Sequence, residues 1–328
     1  MSKDFAVAAL IATDDDFEVC RRTLEYLAQQ TVVDQMEMTI VCPSIERLNP
    51  DLDLLSRFGS HRIVEVAGLL TTGHFLAAGI LAATAPYVMY FEEHNFPPPE
   101  TLERALAVLE GTDRVALGFA IVPANPGPVA WAHLYLQFGQ VVAPIASGEV
   151  DRLGGHHAIY RRDALIRYGA ALPDLMSNEA ILHEDLRRRG TQMYVLGDVA
   201  IPHVQVSDLS SLVKHDFIVQ RIYGETRANF FGWSPLHRAV YVLGTPLIAP
   251  LRIARAYRHV RRSGRGIQFF LRILPALTLA ALAGAAGEAL GYVVGAGKSD
   301  RSTRLTMELD RYAFVNDLDQ AGPKKPRT

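Results

Sequence analysis

The sequence has little cysteine, almost no net charge and nothing like an export leader. Two cysteines, Cys20 and Cys42, stand in 328 residues. They supply neither a disulfide framework nor the spacing of a zinc ribbon, which suits a reducing compartment. Lys and Arg number 33 against 35 Asp and Glu, a net charge of −2. That balance excludes a generalised nucleic-acid binder. The opening MSKDFAVAAL sets an acid directly after its one lysine and then a short strand-like run, so it does not read as a secretory signal. Catalytic chemistry is therefore expected to face the cytoplasm. A glycine-rich, lysine-bearing phosphate loop is missing near the N-terminus, which counts against a nucleotidyltransferase. There is no internal repeat and no low-complexity block, and the length allows one large or two small domains.

What is present alternates. Phe5–Ala12 is a short apolar run and predicts a buried strand. Asp14, Asp15 and Asp16 offer N-caps for a helix in which Phe17, Cys20, Leu24 and Leu27 recur at helical spacing. Met38–Cys42, Arg62–Ala67, Tyr87–Phe91 and Val115–Val122 predict further strands. Helices are predicted from Thr71-Thr72-Gly73 to Ala83 and over Thr101–Leu109. This order predicts an α/β fold with a mostly parallel sheet and helices on both faces. A catalytic domain is expected over 1–232, an apolar, arginine-rich segment over 233–297, and a charged tail over 298–328. The tail ends in Gly322-Pro323-Lys324-Lys325-Pro326 and is expected to be disordered.

Residues 90–102, YFEEHNFPPPETL, carry the strongest chemical signal. In open parallel sheets, ligands bind beyond the carboxyl ends of strands, and Glu92, Glu93 and His94 stand at such an end. Acids can simply stop a strand at the surface. Here Phe91 and Pro97-Pro98-Pro99 place two acids and an imidazole on a stiff, partly apolar platform, and oxygen and nitrogen donors on stiff backbone suit a divalent ion. Glu93, on the alternate face, is expected to bond a ligand or loop backbone. Gly154-Gly155-His156-His157 invites a zinc reading, but adjacent histidines on a strand point opposite ways. Gly155 instead allows close backbone approach to a ligand, with His156 expected at that ligand. In the helix Asn178–Gly190, Glu179 shares a face with Leu182, His183 and Leu186. A carboxylate there can be tuned as a base, or it can serve the helix dipole. Glu184 and Asp185 are expected to pair with Arg187, Arg188 and Arg189 on a solvated surface, leaving Asp185 as the reserve base.

Four stretches in order carry a resemblance. They are Leu24-Glu25-Tyr26-Leu27-Ala28-Gln29-Gln30-Thr31, Ala77–Val88, Phe91-Glu92-Glu93-His94 before prolines, and Gly154–Leu165 continuing into Asn178-Glu179 and Leu186–Gly190. Over about residues 5–230 the chain resembles the family 2 glycosyltransferases, with their A-type glycosyltransferase fold. The resemblance implies a nucleotide-sugar donor, a divalent cation (Mn2+ or Mg2+) and a single displacement with inversion. It also implies metal ligands at Glu92 and His94, which take the outer positions of the family's Asp-x-Asp. A histidine there favours manganese. Similar enzymes place a histidine where His203 stands, the base at an acidic pair where Asn178-Glu179 stand, and a Gln/Arg-bearing helix over the diphosphate where Gln220 and Arg221 stand. The first loop, Thr13-Asp14-Asp15-Asp16, replaces the common Tyr-Asn pair, which gives Asp14 or Asp15 to the nucleotide. The second strand ends Val41-Cys42-Pro43-Ser44, without the aspartate that the family often carries. These departures feed a rival reading, a catalytically silent scaffold of the same fold.

The end of the chain reads differently. Leu236–Leu251 is broken by Pro246 and Pro250 and is short of the about 20 residues that a span needs. Arg252, Arg255, Arg258, Arg261, Arg262 and Arg265 follow without an acid, then Ile273–Gly287, Glu288 and Ala289–Gly295. Helices lying in the cytoplasmic leaflet, with arginines at anionic headgroups, are expected. A helical pair packed on the catalytic domain or on a second subunit, and a single span, are the alternatives. The expected location is the cytoplasmic face of the cell membrane, with a lipid-linked or polysaccharide acceptor.

Overall fold

The computed structural model describes residues 5–14, 16–67, 71–297 and 307–316. In chain order the elements are β1 (Val7–Ala12), α1 (Glu18–Leu27), β2 (Met36–Cys42), α2 (Ile45–Leu48), α3 (Leu52–Leu55), β3 (Ser60–Glu65) and α4 (Thr72–Ala82). Then come β4 (Tyr87–Phe91), α5 (Thr101–Leu109), β5 (Ala116–Pro123), α6 (Pro128–Phe138), β6 (Gly148–Val150), β7 (Ala158–Arg161), α7 (Arg162–Ile166) and α8 (Leu172–Met176). The last are α9 (Glu179–Arg188), β8 (Met193–His203), α10 (Leu209–Phe230), α11 (Pro235–Leu243), α12 (Thr245–Arg262) and α13 (Ile267–Val294).

The eight strands form one sheet in the order β3-β2-β1-β4-β7-β5-β8-β6. β1 and β2 are buried along their whole length, as strands covered on both faces must be. β1 pairs parallel with β2 and with β4, and β2 pairs parallel with β3. This is the parallel half that the alternation predicts. β7 runs antiparallel to β4 and β5, and β6 antiparallel to β8. An acid that the sequence reading passed over, Glu37 on β2, is buried. Its Oε2 accepts from Thr84 N at 2.8 Å, Thr84 Oγ1 at 2.9 Å and Ala85 N at 3.2 Å, which ties β2 to the turn before β4.

The chain divides into two compact units, and not at the expected residue 232. One unit comprises 1–121 and 146–202, the other 122–145 and 203–328. Local composition did not mark these crossings, because the chain leaves the first unit within β5, returns to it at 145–146 and leaves it again within β8. In the second unit α10 and α13 lie against each other. A Cβ on Gly287 would stand 2.1 Å from the Phe217 carbonyl oxygen, and one on Gly291 2.1 Å from that of Arg221. α13 runs unbroken through Pro275 and Glu288. Glu288 is buried and accepts from Tyr292 Oη at 2.7 Å. Part of the tail expected to be disordered is ordered. Arg311 is buried and pairs with Glu308 at 3.0 Å, and Asn316 N donates to Ser207 Oγ at 2.8 Å. Residues 322–326 lie outside the described residues.

Candidate active site

Prolines 97–99 have no N–H to give, so the loop after β4 needs outside partners for its carbonyls. Helix α1 and the turn after it supply them. Thr23 Oγ1 donates to the carbonyls of Glu92 and Asn95, at 3.2 Å each. Gln30 Nε2 donates to the Pro98 carbonyl at 2.7 Å, while Gln30 Oε1 accepts from Leu102 N at 3.1 Å. Thr31 N donates to the Pro99 carbonyl at 2.9 Å. The Arg22 guanidinium lies 4.3 Å from the centre of the Phe96 ring. The loop is thereby held inward. Glu92 is 8%, Glu93 1% and His94 0% exposed, so these are not acids that stop a strand at the surface.

Glu92 Oε2 lies 3.0 Å from His94 Nε2 and 3.2 Å from His156 Nε2. His94 Nδ1 lies 3.1 Å from Glu93 Oε1, so His94 sits between two carboxylates. Glu93 therefore serves His94, a partner that sequence reading did not give it. His156 reaches this corner because β7 enters antiparallel to β4, with Met89 opposite Ile159. The residues before β7 then lie beside those after β4. Gly155–His157 is a 3-10 turn rather than a strand, so the strand argument about adjacent histidines does not apply. The two rings still diverge in role. His156 meets Glu92 and sets its ring edge to face with Tyr90 at 5.9 Å. His157 is fully buried, and burial, together with the charge of His156, holds its pKa well below the ordinary imidazole value.

Glu179 completes the corner. A Cβ on Gly155 would stand 2.4 Å from Glu179 Cδ and 2.7 Å from each carboxylate oxygen. The carboxylate thus lies over the Gly155 backbone, one residue from His156. Helix α9 is anchored to the sheet by the face that carries Glu179, through His183 Nε2 and Tyr160 Oη at 2.8 Å. Burial holds the His183 pKa at about 3. Asp185 is committed elsewhere. It accepts from Tyr168 Oη at 2.7 Å and from Arg189 Nε at 2.6 Å.

The remaining candidates fall in three places. Thr13 and Asp14 follow β1, with Thr13 N donating to the Val41 carbonyl at 3.0 Å; Asp15 lies outside the described residues. Gln220 and Arg221 belong to the second unit, where Arg221 Nε donates to the Gly295 carbonyl at 2.8 Å and so caps α13. A Cβ on Gly284 would stand 3.0 Å from Gln220 Cγ. His203 ends β8 fully buried, with its ring against the Gln205 side-chain amide and 5.8 Å from the Phe138 ring. Sequence reasoning missed Asn95, a fully buried amide whose side-chain nitrogen and oxygen have no hydrogen-bond partner among the described residues. Its one signal was its place directly after Glu-Glu-His.

No protein family model matches the chain, and no curated protein does. Among solved structures it is similar to S. aureus TarS, with TM-score 0.50 and 13% identity over 87% of this chain. The chain spans 55% of the length of that TarS structure. It is also similar to S. aureus TarS 1–349 in complex with UDP-GlcNAc, with TM-score 0.47 and 13% identity, over 87% of this chain and 90% of that one. A third is the mannosyltransferase PcManGT from Pyrobaculum calidifontis in complex with GDP-Man and Mn2+, with TM-score 0.43 and 17% identity, over 93% of this chain and 80% of that one. The first of these likenesses shows a shared α/β fold.

Proposed function

We propose that this chain is a metal-dependent, inverting glycosyltransferase of the family 2 kind. It moves a sugar from a nucleotide-sugar donor to a hydroxyl of a lipid-linked or polysaccharide acceptor. One observation carries the reading: a single oxygen of Glu92 faces two imidazoles at the end of β4, and the Glu179 carboxylate lies over Gly155 beside them. The shared fold and the ordered resemblance in the sequence support it.

The donor set fits a divalent ion. Two neighbouring ligands of an octahedral ion bound at about 2.1 Å lie roughly 3 Å apart, and Glu92 Oε2 and His156 Nε2 are 3.2 Å apart. Oxygen with imidazole nitrogen favours manganese over magnesium. In this reading Glu92, His94 and His156 would hold the cation: His94 Nε2, 3.0 Å from Glu92 Oε2, meets the same spacing, and Glu93 at its Nδ1 would orient the ring. A bound cation would supply Lewis-acid neutralisation of the departing diphosphate. The Glu179 carboxylate accepts the proton of the acceptor hydroxyl as its oxygen attacks the anomeric carbon. The bond from that carbon to the diphosphate oxygen breaks, and the electron pair leaves with the nucleoside diphosphate.

The test is a thermal shift with manganese and a panel of nucleoside diphosphates, followed by transfer assays. The wild type is expected to be stabilised by one nucleotide only when manganese is present. His156→Gln is expected to lose that stabilisation. Glu179→Gln is expected to keep it and to lose transfer. No metal-dependent stabilisation by any nucleotide would leave the silent scaffold as the better account, and full turnover by Glu179→Gln would remove Glu179 as the base.

A further inference from the structure

The second unit holds charged side chains inside and exposes a set of leucines outside. Asp216 and Arg252 form a buried pair, Nη1 to Oδ2 at 2.5 Å and Nη2 to Oδ1 at 2.9 Å, and Gln137 Nε2 donates to Asp216 Oδ1 at 3.0 Å. Glu288 is buried beside Tyr292. The opposite face of α13 is an exposed stripe at spacings of three and four: Leu271, Pro275, Leu279, Leu282, Ala286, Leu290 and Val293. Helices α11 and α12 also expose leucine, with Leu236 76%, Leu243 81% and Leu247 63% exposed. A helix that exposes an apolar stripe along its whole outer face is built for an apolar surrounding.

Charge decides what that surrounding is. From Thr226 to Gly287 the chain has no Asp or Glu but has nine arginines. Arg258, Arg261 and Arg272 are exposed at the turn of the chain from α12 into α13. A second copy seated on this face would bring arginine towards arginine with no acid to answer it. An anionic headgroup layer answers it directly.

By length and apolar composition α13 is long enough to cross a membrane. Its glycine face, however, is filled by α10, which carries Lys214, Asp216, Gln220, Arg221 and Glu225. Crossing would take that polar helix into hydrocarbon, where such groups are costly. A helix of 28 residues lying flat, about 42 Å long, offers its whole stripe instead.

We infer that the outer face of α11, α12 and α13 is a monotopic anchor that seats the protein on an anionic lipid bilayer. The leucines enter the acyl boundary, and Arg258, Arg261 and Arg272 meet phosphate headgroups. This rests on the second unit alone and is independent of the transferase reading.

The experiment is flotation of the full chain with vesicles of phosphatidylcholine alone and of equal parts phosphatidylcholine and phosphatidylglycerol. The protein is expected to float with the anionic vesicles, to stay largely behind with the neutral ones, and to be released by alkaline carbonate. Arg258→Gln with Arg261→Gln is expected to weaken binding about thirtyfold, and Leu243→Gln about tenfold, with unchanged circular dichroism. Absence from both vesicle types, equal binding to both, resistance to carbonate, or unaltered binding by both variants would each overturn the inference. So would a lipid-free dimer that Leu243→Gln dissociates, which would assign the face to a second copy.

Discussion

Gly155 and Glu179 show how one missing methyl group makes room for a carboxylate, the base of the proposed reaction. An alanine at 155 would set a Cβ 2.4 Å from Glu179 Cδ. The far end of a flexible side chain would move, and the backbone would not. Gly155→Ala is therefore expected to leave Tm nearly unchanged while kcat falls about a hundredfold, as displacements of about 1 Å cost in catalytic sites; transfer assays and thermal unfolding of the same sample check both halves. His183 gives a second prediction at this scale. Its folded pKa, about 3, lies below the ordinary 6.5. The unfolded chain thus binds the proton first, and the stability that neutral His183 contributes is present above pH 6.5 and lost as pH falls towards 3. The slope is at most about 1.4 kcal/mol per pH unit for one proton. In His183→Gln, urea unfolding across that window should lose this part of the slope. Glu179 was legible from its place on a helix face, and Glu92 from a strand that ends in acids before prolines. The meeting of His156 with Glu92 was not. It spans more than sixty positions and depends on β7 running antiparallel to β4, which no local pattern fixes.

Helix α1 looks, by sequence, like a packing helix with Cys20, Leu24 and Leu27 inward, and it is one. The structure adds that Thr23, Gln30 and Thr31 brace the loop that carries Glu92 to His94. Gln30 is buried and makes bonds in both directions, so Gln30→Ala leaves a proline-loop carbonyl and the Leu102 N–H without it. The expected cost is about 1–3 kcal/mol, read as a lower urea midpoint with an unchanged m-value. A loss of metal-dependent nucleotide stabilisation larger than that of global stability would show that the brace also sets the site. Strand and helix identities in the parallel half were readable because buried strands and amphipathic helices differ in period. The brace was not, because the partner of a buried glutamine is a tertiary fact.

For the whole molecule, the division into units differs from what composition suggested. The first unit takes 146–202 back after 122–145 has left it, and the second holds both α6 and the C-terminal helices. Asp216 and Arg252 mark the inner side of that second unit. Arg252→Met would leave the fully buried Asp216 without its ion-pair partner, at an expected cost of about 3–5 kcal/mol. Asp216→Asn with Arg252→Met should recover part of it, and equilibrium unfolding of the four-member cycle reads the coupling.

The sequence by itself determined the alternating strands and helices, the Glu-Glu-His platform and the acid-free apolar end, because hydrophobic period, proline and charge act over a few neighbouring residues. Only the tertiary structure decided that His94 lies between two carboxylates, that His156 faces Glu92, that Gly155 makes room for Glu179, and that α13 turns its glycines inward and Leu271, Leu279, Leu282 and Leu290 out. Those outcomes depend on strand direction and on which backbone approaches which, and close packing fixes both between residues far apart in the chain.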